Sequence, residues 1–208
     1  MLCGVLVGHL AGNLLACSGP KALNDYAYFL KSNPGILWGA RIGLLGAFAL
    51  HIATTVRLAR MNRTARPVRY AFESTIQASK PSRFMIQSGL LVLAYVVYHL
   101  LHFTLGVTNP EHFDVQDAEG RHDVFRMLVL GFQNPAISIT YIVAQLILFM
   151  HLAHGLQSTL QTVGFRHPRY TPIVEKLGPG IAGIVTLGFL SIPVAVWIGV
   201  IDLPSNAT

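Results

Sequence analysis

The feature that most restricts the fold of this chain is a series of long apolar stretches separated by short charged segments. Five stretches cover residues 1–17, 35–58, 84–107, 135–159 and 178–200. Most of them exceed the roughly 20 residues that a helix needs to cross the hydrocarbon core of a bilayer. Inside lipid every backbone N–H and C=O group must find an internal partner, which excludes irregular chain and open sheets. The sequence therefore predicts an all-α integral membrane protein, with five transmembrane helices in a single domain over residues 1–208.

Composition agrees with a membrane protein. The chain is 52% hydrophobic and only 12% charged, and its mean hydropathy is +0.52. A soluble domain usually has about a quarter of its residues charged. The net charge of +6 does not indicate a nucleic-acid partner, because the basic residues cluster between the apolar stretches. In that position they determine the orientation of the helices in the membrane.

The charges of the connecting segments predict this orientation. Residues 57–83 contain seven basic side chains and the single acid Glu73, whereas residues 108–134 contain five acids. By the positive-inside rule the basic segment faces the cytoplasm and the acidic segment faces outward. With five spans, the N-terminus is cytoplasmic and the C-terminus lies outside. We expect the protein in the inner (cytoplasmic) membrane of the cell.

The first stretch has a second interpretation, a cleaved signal peptide. It has no positively charged leading region, and His9 and Asn13 interrupt its apolar centre. Both features are unusual for a signal peptide, so we expect a genuine first helix. Native residues upstream of Met1 are compatible with this expectation.

Four histidines lie deep inside four different apolar stretches: His9, His51, His99 and His151. Ionisable side chains inside a membrane are costly and are usually functional. Two imidazoles from two helices complete the axial ligation of one haem iron, so four suit two b haems in a helical bundle. An interhelical hydrogen bond is the competing explanation for any single histidine. A zinc or di-iron site is disfavoured because no carboxylate accompanies these histidines within the stretches.

Depth in the membrane sorts the four histidines into two layers. At 1.5 Å per residue, His51 lies about 9 Å from the inner edge of its helix, and His151 also lies near an inner end. His99 lies about 24 Å from the inner edge by the same rise, and His9 lies toward the outer end of the first stretch. The sequence therefore predicts an inner pair, His51 with His151, and an outer pair, His9 with His99.

Two further histidines repeat the spacing of the first ones. His102 follows His99, and His154 follows His151, each by three residues. This spacing places each on nearly the same helix face, one turn nearer the membrane edge. Spacing does not decide which histidine of each couple binds iron. We expect the other one to reach a haem propionate or a quinone oxygen.

Two arginines are candidates for contacts with the same groups. Arg41 is an isolated cation in the outer part of the second stretch. It either extends its charged end toward the membrane surface or binds a propionate of the outer haem. Arg83 belongs to the cytoplasmic basic segment, where it sets topology, neutralises a propionate of the inner haem or contacts a partner protein.

Seven short segments, spread over the whole chain, support a resemblance to a known family. They are Gly8-His9-Leu10, Ala22-Leu23-Asn24, Leu50-His51-Ile52, Ala65-Arg66-Pro67-Val68-Arg69-Tyr70, Tyr98-His99-Leu100-Leu101-His102-Phe103, Gly131-Phe132-Gln133-Asn134-Pro135 and His151-Leu152-Ala153-His154-Gly155-Leu156. In order and spacing they resemble the single-subunit, dihaem cytochrome b membrane anchor of succinate dehydrogenase and fumarate reductase, the succinate:quinone oxidoreductases.

The resemblance implies ligands and partners. In that family the first histidine of each couple matches the axial ligand, which implies His99 and His151 beside His9 and His51. It also implies an electron-transfer subunit with two b haems, a membrane quinone as substrate, and a flavoprotein that interconverts succinate and fumarate. An iron–sulfur protein would dock on the cytoplasmic face, and a higher oligomer of the whole complex is compatible with this. Some members carry a glutamate implicated in proton movement where this chain has Phe149, so the resemblance does not extend to that route.

Two other classes of function compete with this interpretation. One is a haem b membrane cytochrome of another oxidoreductase, such as a hydrogenase partner or an ascorbate-linked cytochrome of the b561 kind. The other is a proton-coupled transporter in which the histidines relay protons. A transporter predicts inverted repeats and broken helices around a midplane site, and the sequence has no convincing repeat.

Overall fold

The structure is a computed structural model that describes residues 2–65, 80–165 and 167–204. Its helices are α1 Leu2–Leu14, α2 Pro20–Ser32, α3 Pro34–Ala65, α4 Lys80–Arg83, α5 Met85–His99, α6 Pro110–Phe113, α7 Val124–Gln133, α8 Pro135–Thr162 and α9 Thr171–Trp197. Helix α1 continues as a 3₁₀ turn, Leu15–Ser18, and α5 continues as a π-helical turn, Leu100–Thr104. The prediction of an all-helical fold is confirmed for the described residues.

Within the described ranges, four helices are long and apolar enough to cross a membrane. They are α3, α5 with its π-helical turn, α8 and α9, which correspond to the last four predicted stretches. The first stretch forms α1 and its 3₁₀ turn, an apolar helix over Leu2–Ser18. That helix measures only about 25 Å at 1.5 Å per residue, less than the roughly 30 Å of the hydrocarbon core. Length and composition therefore support four spans.

Local signals in the sequence explain where the helices begin. Asn134 caps α8, because its side-chain oxygen accepts the backbone N–H of Ala136 at 3.0 Å, and Pro135 occupies the first helical position, where it needs no partner. Asp123 caps α7 in the same way through the N–H of Arg126 at 2.9 Å. Gly19 separates α1 from α2 with φ of +97°, a backbone conformation that glycine adopts without steric cost.

Helices α1, α5, α8 and α9 pack together, and small residues set the closest approaches. A Cβ atom at Gly178 of α9 would lie 2.6 Å from the carbonyl oxygen of Ala153 in α8, and one at Gly188 would lie 2.8 Å from Leu10 of α1. Small residues at such positions let membrane helices pack backbone to backbone. Helix α3 differs, because none of its residues is buried. It stands at the side of the bundle that the other helices form.

One end of the bundle is closed by a cap made of α2, residues 110–123 and α7. Asn24 of α2 is 4% exposed. Its side-chain amide donates to Asp123 at 2.9 Å, and its oxygen accepts the backbone N–H of Phe125 at 3.0 Å. The cap contains most of the acidic segment at residues 108–134. Asn24 joins α2 to the part of the cap that contains Asp123 and Phe125.

An ion cluster ties the same two parts together at the surface. Arg121 donates to Asp25 of α2 at 2.8 Å and pairs with Asp117 at 2.9 Å. Hydrogen bonds from Lys21 and from Arg121 lower the pKa of Asp25. The stability that this ion pair contributes is therefore present above the ordinary carboxyl pKa, and it is lost as pH falls through the lowered pKa of Asp25.

We expect Asn24→Ala to lower the free energy of unfolding by about 1–3 kcal/mol, because it leaves the buried N–H of Phe125 without its acceptor. Thermal unfolding in detergent measures the change. Ser32→Ala is the matched control, because Ser32 lies on the same helix at an exposed position. Equal stability of the two variants would contradict the role of Asn24 as the link between α2 and α7.

Candidate functional site

The four deep histidines form two pairs in the structure. The ring centres of His9 on α1 and His99 on α5 lie 5.8 Å apart, and their planes make an angle of 83°. The ring centres of His51 on α3 and His151 on α8 lie 6.3 Å apart, at 85°. These are the two pairs that the depth argument selects. Ligation of iron by either pair remains a prediction.

The separations fit two axial imidazoles on one iron. A metal–imidazole bond is about 2 Å long, and each ring nitrogen lies about 1 Å from the ring centre, so two rings on opposite sides of one metal have centres roughly 6 Å apart. The angle between the planes is unrestricted, because each ring can rotate about its bond to the metal. Edge-to-face packing of two rings without a metal gives similar distances. The distance alone therefore does not distinguish metal ligation from ring packing.

The two pairs lie at different heights along the bundle. Ser88 of α5 contacts His151 of the inner pair, and eleven residues further along the same helix is His99 of the outer pair. At 1.5 Å per residue the two levels are about 16 Å apart. Two ring-shaped cofactors at these levels would therefore occupy separate layers.

His151 is held against α5 by a hydroxyl and a glycine. Its Nδ1 atom lies 3.0 Å from the Oγ of Ser88, and Ser88 Oγ donates to the carbonyl of Met85 at 3.1 Å. A Cβ atom at Gly89 would lie 3.3 Å from Cε1 of the His151 ring. The glycine therefore lets the ring lie close to the backbone of α5.

His99 shares a hydroxyl with His102. The Oη of Tyr141, on α8, lies 3.3 Å from Nδ1 of His99 and 3.1 Å from Nδ1 of His102. Tyr141 is only 5% exposed. Four aromatic rings surround it: Tyr95, Tyr98, Phe103 and Phe132. The hydroxyl of Tyr141 is thus enclosed between two imidazoles in an otherwise apolar environment.

His102 lies behind the outer pair. It is 2% exposed, stacks on Phe103 with ring centres 4.0 Å apart, and packs against α7 where a Cβ at Gly131 would lie 3.3 Å from its Nε2. Among the described residues this Nε2 has no hydrogen-bond partner. The ring that meets His9 is that of His99. His102 contacts the outer pair through Tyr141.

The second histidine of each pair is less enclosed. His9 and His51 are both exposed in the isolated chain. A side chain at Gly8, beside His9, or at Gly43 and Gly46 of α3 would meet no neighbouring atom within 4 Å. These three glycines therefore face open space in the isolated chain. No group of three or more His, Cys, Asp or Glu side chains converges among the described residues.

The remaining predicted contacts lie at the margins of the site. His154 is half-buried on α8, and Arg83 is exposed at the end of α4. Arg41 is also exposed, and its guanidinium lies 5.2 Å from the ring centre of Trp38 on the same helix. Their contacts with propionates or quinone remain predictions. Residues 66–79, which include Arg66 and Arg69 of the basic segment and part of the family resemblance, lie outside the described residues.

The sequence analysis missed Ser88 and Tyr141, the two hydroxyl residues that contact the histidines. Isolated serines and tyrosines are common in membrane helices, and neither position forms a motif. A signal does exist in the spacing, because Ser88 precedes His99 by eleven residues and Tyr141 precedes His151 by ten. It becomes meaningful only once α5 and α8 are known to be antiparallel neighbours.

Comparison with known proteins adds nothing to this geometry. No family model, curated protein or solved structure matches the chain. The function must therefore be argued from the residues of the site.

We expect His102→Ala and His154→Ala to retain both haem b components. His102 contacts Tyr141 rather than His9, and His154 lies one turn beyond His151. Each change should instead shift a midpoint potential or slow quinone reduction, measured by redox titration and by a quinone assay. Loss of haem in His102→Ala, with haem retained in His99→Ala, would reverse the choice of ligand.

Proposed function

We propose that this chain is a five-span membrane cytochrome b that holds two b haems and serves as the membrane anchor of a succinate:quinone oxidoreductase. The observation that carries the proposal is the meeting of four histidines from four helices as two pairs, with ring centres 5.8 and 6.3 Å apart. In each pair, one histidine also contacts a hydroxyl through its Nδ1 atom. Metal-bound histidines usually have such a second partner.

In this proposal the chain provides the ligands and their environment. His9 and His99 hold the outer haem, and His51 and His151 hold the inner haem. When bound, haem b supplies reversible one-electron transfer at its iron, with a potential set by ligands, burial and hydrogen bonds. The two pairs lie about 16 Å apart along α5.

The distribution of charge supports a partner protein at the inner end. Arg57, Arg60 and Arg63 are exposed at the end of α3 that lies beyond His51, and Arg83 is exposed before α5 begins. The acidic cap lies at the opposite end of the bundle. We propose that the basic end faces the cytoplasm and contacts the iron–sulfur subunit, which receives electrons from the flavoprotein. Electrons then reach membrane quinone, or move in reverse during fumarate reduction.

The proposal also includes the first helix as a span and the cytoplasmic membrane as the location. Helix α1 carries His9 and packs on α9 at Gly188, so it belongs to the same bundle as the four long helices. A cytoplasmic N-terminus and an outer C-terminus follow from five spans and the basic inner end. Reporter fusions at both termini would test this orientation.

A visible spectrum of the purified chain tests the haem assignment. We expect two haem b per chain, with bis-histidine spectra and two components in a redox titration. A colourless chain from cells that make haem would overturn the proposal and favour the proton-coupled transporter. Variants in which His167 is changed serve as a control for non-specific haem binding, because His167 is exposed and precedes α9 by four residues.

Co-purification then distinguishes the anchor from other cytochromes. Tagged chain should recover a flavoprotein and an iron–sulfur protein, and the complex should reduce quinone with succinate. The isolated chain should bind haem without oxidising succinate, because all four ligands come from its own helices. Recovery of a haem-loaded chain with a hydrogenase, and without a flavoprotein, would assign it to another oxidoreductase.

A further inference from the structure

Two hydroxyl groups contact the histidines across the α5–α8 interface. The geometry points to Ser88 and Tyr141 as positioning residues, each of which fixes the ring and the proton of one haem ligand on the opposite helix. This inference rests on the proposed function, because it concerns the ligands of the two haems. It adds the residues that prepare His151 and His99 for ligation.

At the inner level, the direction of the hydrogen bonds follows from the single proton of serine. Ser88 Oγ donates that proton to the carbonyl of Met85, so toward His151 the oxygen can only accept. Both contacts are hydrogen bonds at the same time only if His151 carries its proton on Nδ1, at 3.0 Å from Ser88 Oγ. Nε2 is left with a free lone pair, the form in which imidazole binds a metal.

At the outer level, one phenol serves two imidazoles. Tyr141 has one proton and lies within 3.3 Å of Nδ1 of His99 and within 3.1 Å of Nδ1 of His102. If His99 binds iron through Nε2, its Nδ1 carries a proton and donates to Tyr141 Oη. The phenol proton is then free for Nδ1 of His102, which places the remaining proton of His102 on Nε2. The hydrogen bond from His99 to Tyr141 and the one from Tyr141 to His102 then each have one donor and one acceptor.

Helices α5 and α8 exchange roles between the two levels. Helix α5 supplies the hydroxyl at the inner level and the ligand at the outer level, whereas α8 supplies the inner ligand and the outer hydroxyl. The intervals of eleven residues on α5 and ten on α8 correspond to about 16 and 15 Å of helix. Nearly equal intervals on antiparallel helices bring both contacts into register at once.

Matched variants separate this role from general packing. Ser88→Ala and Tyr141→Phe remove only the hydroxyl groups. Their controls are Ser138→Ala, which loses a buried hydroxyl bonded to the carbonyl of Phe132, and Tyr95→Phe, which loses a hydroxyl bonded to Gln145 in the same aromatic cluster. Ser88→Thr is the rescue variant, because threonine keeps an oxygen that can bond a carbonyl one turn back.

We expect each hydroxyl variant to change one haem component only. Loss of the partner makes the imidazole less basic, so the midpoint potential of that component rises, and its haem is retained about 10–100-fold less tightly. Ser88→Ala should affect the component that His151→Ala removes, and Tyr141→Phe the one that His99→Ala removes. Potentials that stay at wild-type values in both variants, or that move equally in the controls, would overturn the inference while leaving the haem assignment intact.

A second measurement needs no haem. The ¹⁵N spectrum of histidine in haem-free chain, reconstituted in lipid, distinguishes the Nδ1–H from the Nε2–H form of the ring. We expect His151 in the Nδ1–H form, with that preference lost in Ser88→Ala and restored in Ser88→Thr. An Nε2–H form of His151 in the wild-type chain would overturn the assignment of Ser88, whether or not the chain binds haem.

Discussion

We expect His51→Ala and His151→Ala to abolish the same haem component, and His9→Ala and His99→Ala to abolish the other. The reason is that the rings meet in these two pairs, 6.3 and 5.8 Å apart. In the proposed function each haem depends on both histidines of its pair, so replacing either histidine should remove that haem. Each variant should therefore keep about half of the wild-type haem. Redox titration followed by visible absorbance identifies which component is missing.

The four variants act as controls for one another. Double variants within a pair, such as His51→Ala with His151→Ala, should lose no more haem than either single variant. A double variant across the pairs, such as His51→Ala with His99→Ala, should lose both components. If the His9 and His51 variants lost the same component, the pairing would be wrong. If all four lost both, the two levels would not be independent sites.

The second large effect that we expect concerns α3. No residue of this helix is buried against the others, yet its His51 faces His151. Helix α3 contacts α1 and α2, and in the proposed function the inner haem is its main connection to α8. Chain produced without haem should therefore show a broad range of distances between α3 and α9, and haem binding should narrow it. Paired spin labels report these distances directly.

Suitable label positions face outward on the described helices. Ile42→Cys on α3 with Ile184→Cys on α9 forms the test pair, and Ile139→Cys on α8 with Leu187→Cys on α9 forms the control pair; all four side chains are at least half exposed. The free cysteines Cys3 and Cys17 must first be replaced. The control distance should not depend on haem, because α8 and α9 pack closely at Gly178. An equally narrow α3–α9 distance without haem would contradict the prediction.

Hydropathy and depth predicted much of the architecture. The four long helices follow from stretches that are poor in charge, and the two histidine pairs follow from the depth of each histidine in its stretch. The predicted helix boundaries were less accurate where a helix continues beyond its apolar stretch into charged residues. Helix α9 begins at Thr171 rather than near residue 178, because the helix continues through Glu175 and Lys176 beyond the apolar stretch. Hydropathy indicates which part of a helix lies in lipid, and the helix itself can extend beyond that part.

The parts that the sequence did not predict depend on contacts between distant segments. Asn24 and Asp123 are 99 residues apart, and neither has a pattern that reveals the other. The spacing of residues in the sequence does not distinguish His99 from His102. Their roles differ only in the contacts that each ring makes in the folded chain. The first meets His9, and the second is enclosed by Phe103 and Gly131. Such distinctions require the relative rotation of helices, which a single sequence does not contain.

The exchange of roles between α5 and α8 also restricts how this chain can evolve. Deleting one residue between Ser88 and His99 would rotate the two ends of that segment by about 100° relative to each other and shorten it by about 1.5 Å. At most one of the two hydroxyl contacts could then survive. If both hydroxyl contacts are required, we expect related sequences to differ by substitution, and not by insertion or deletion, within residues 88–99 and 141–151.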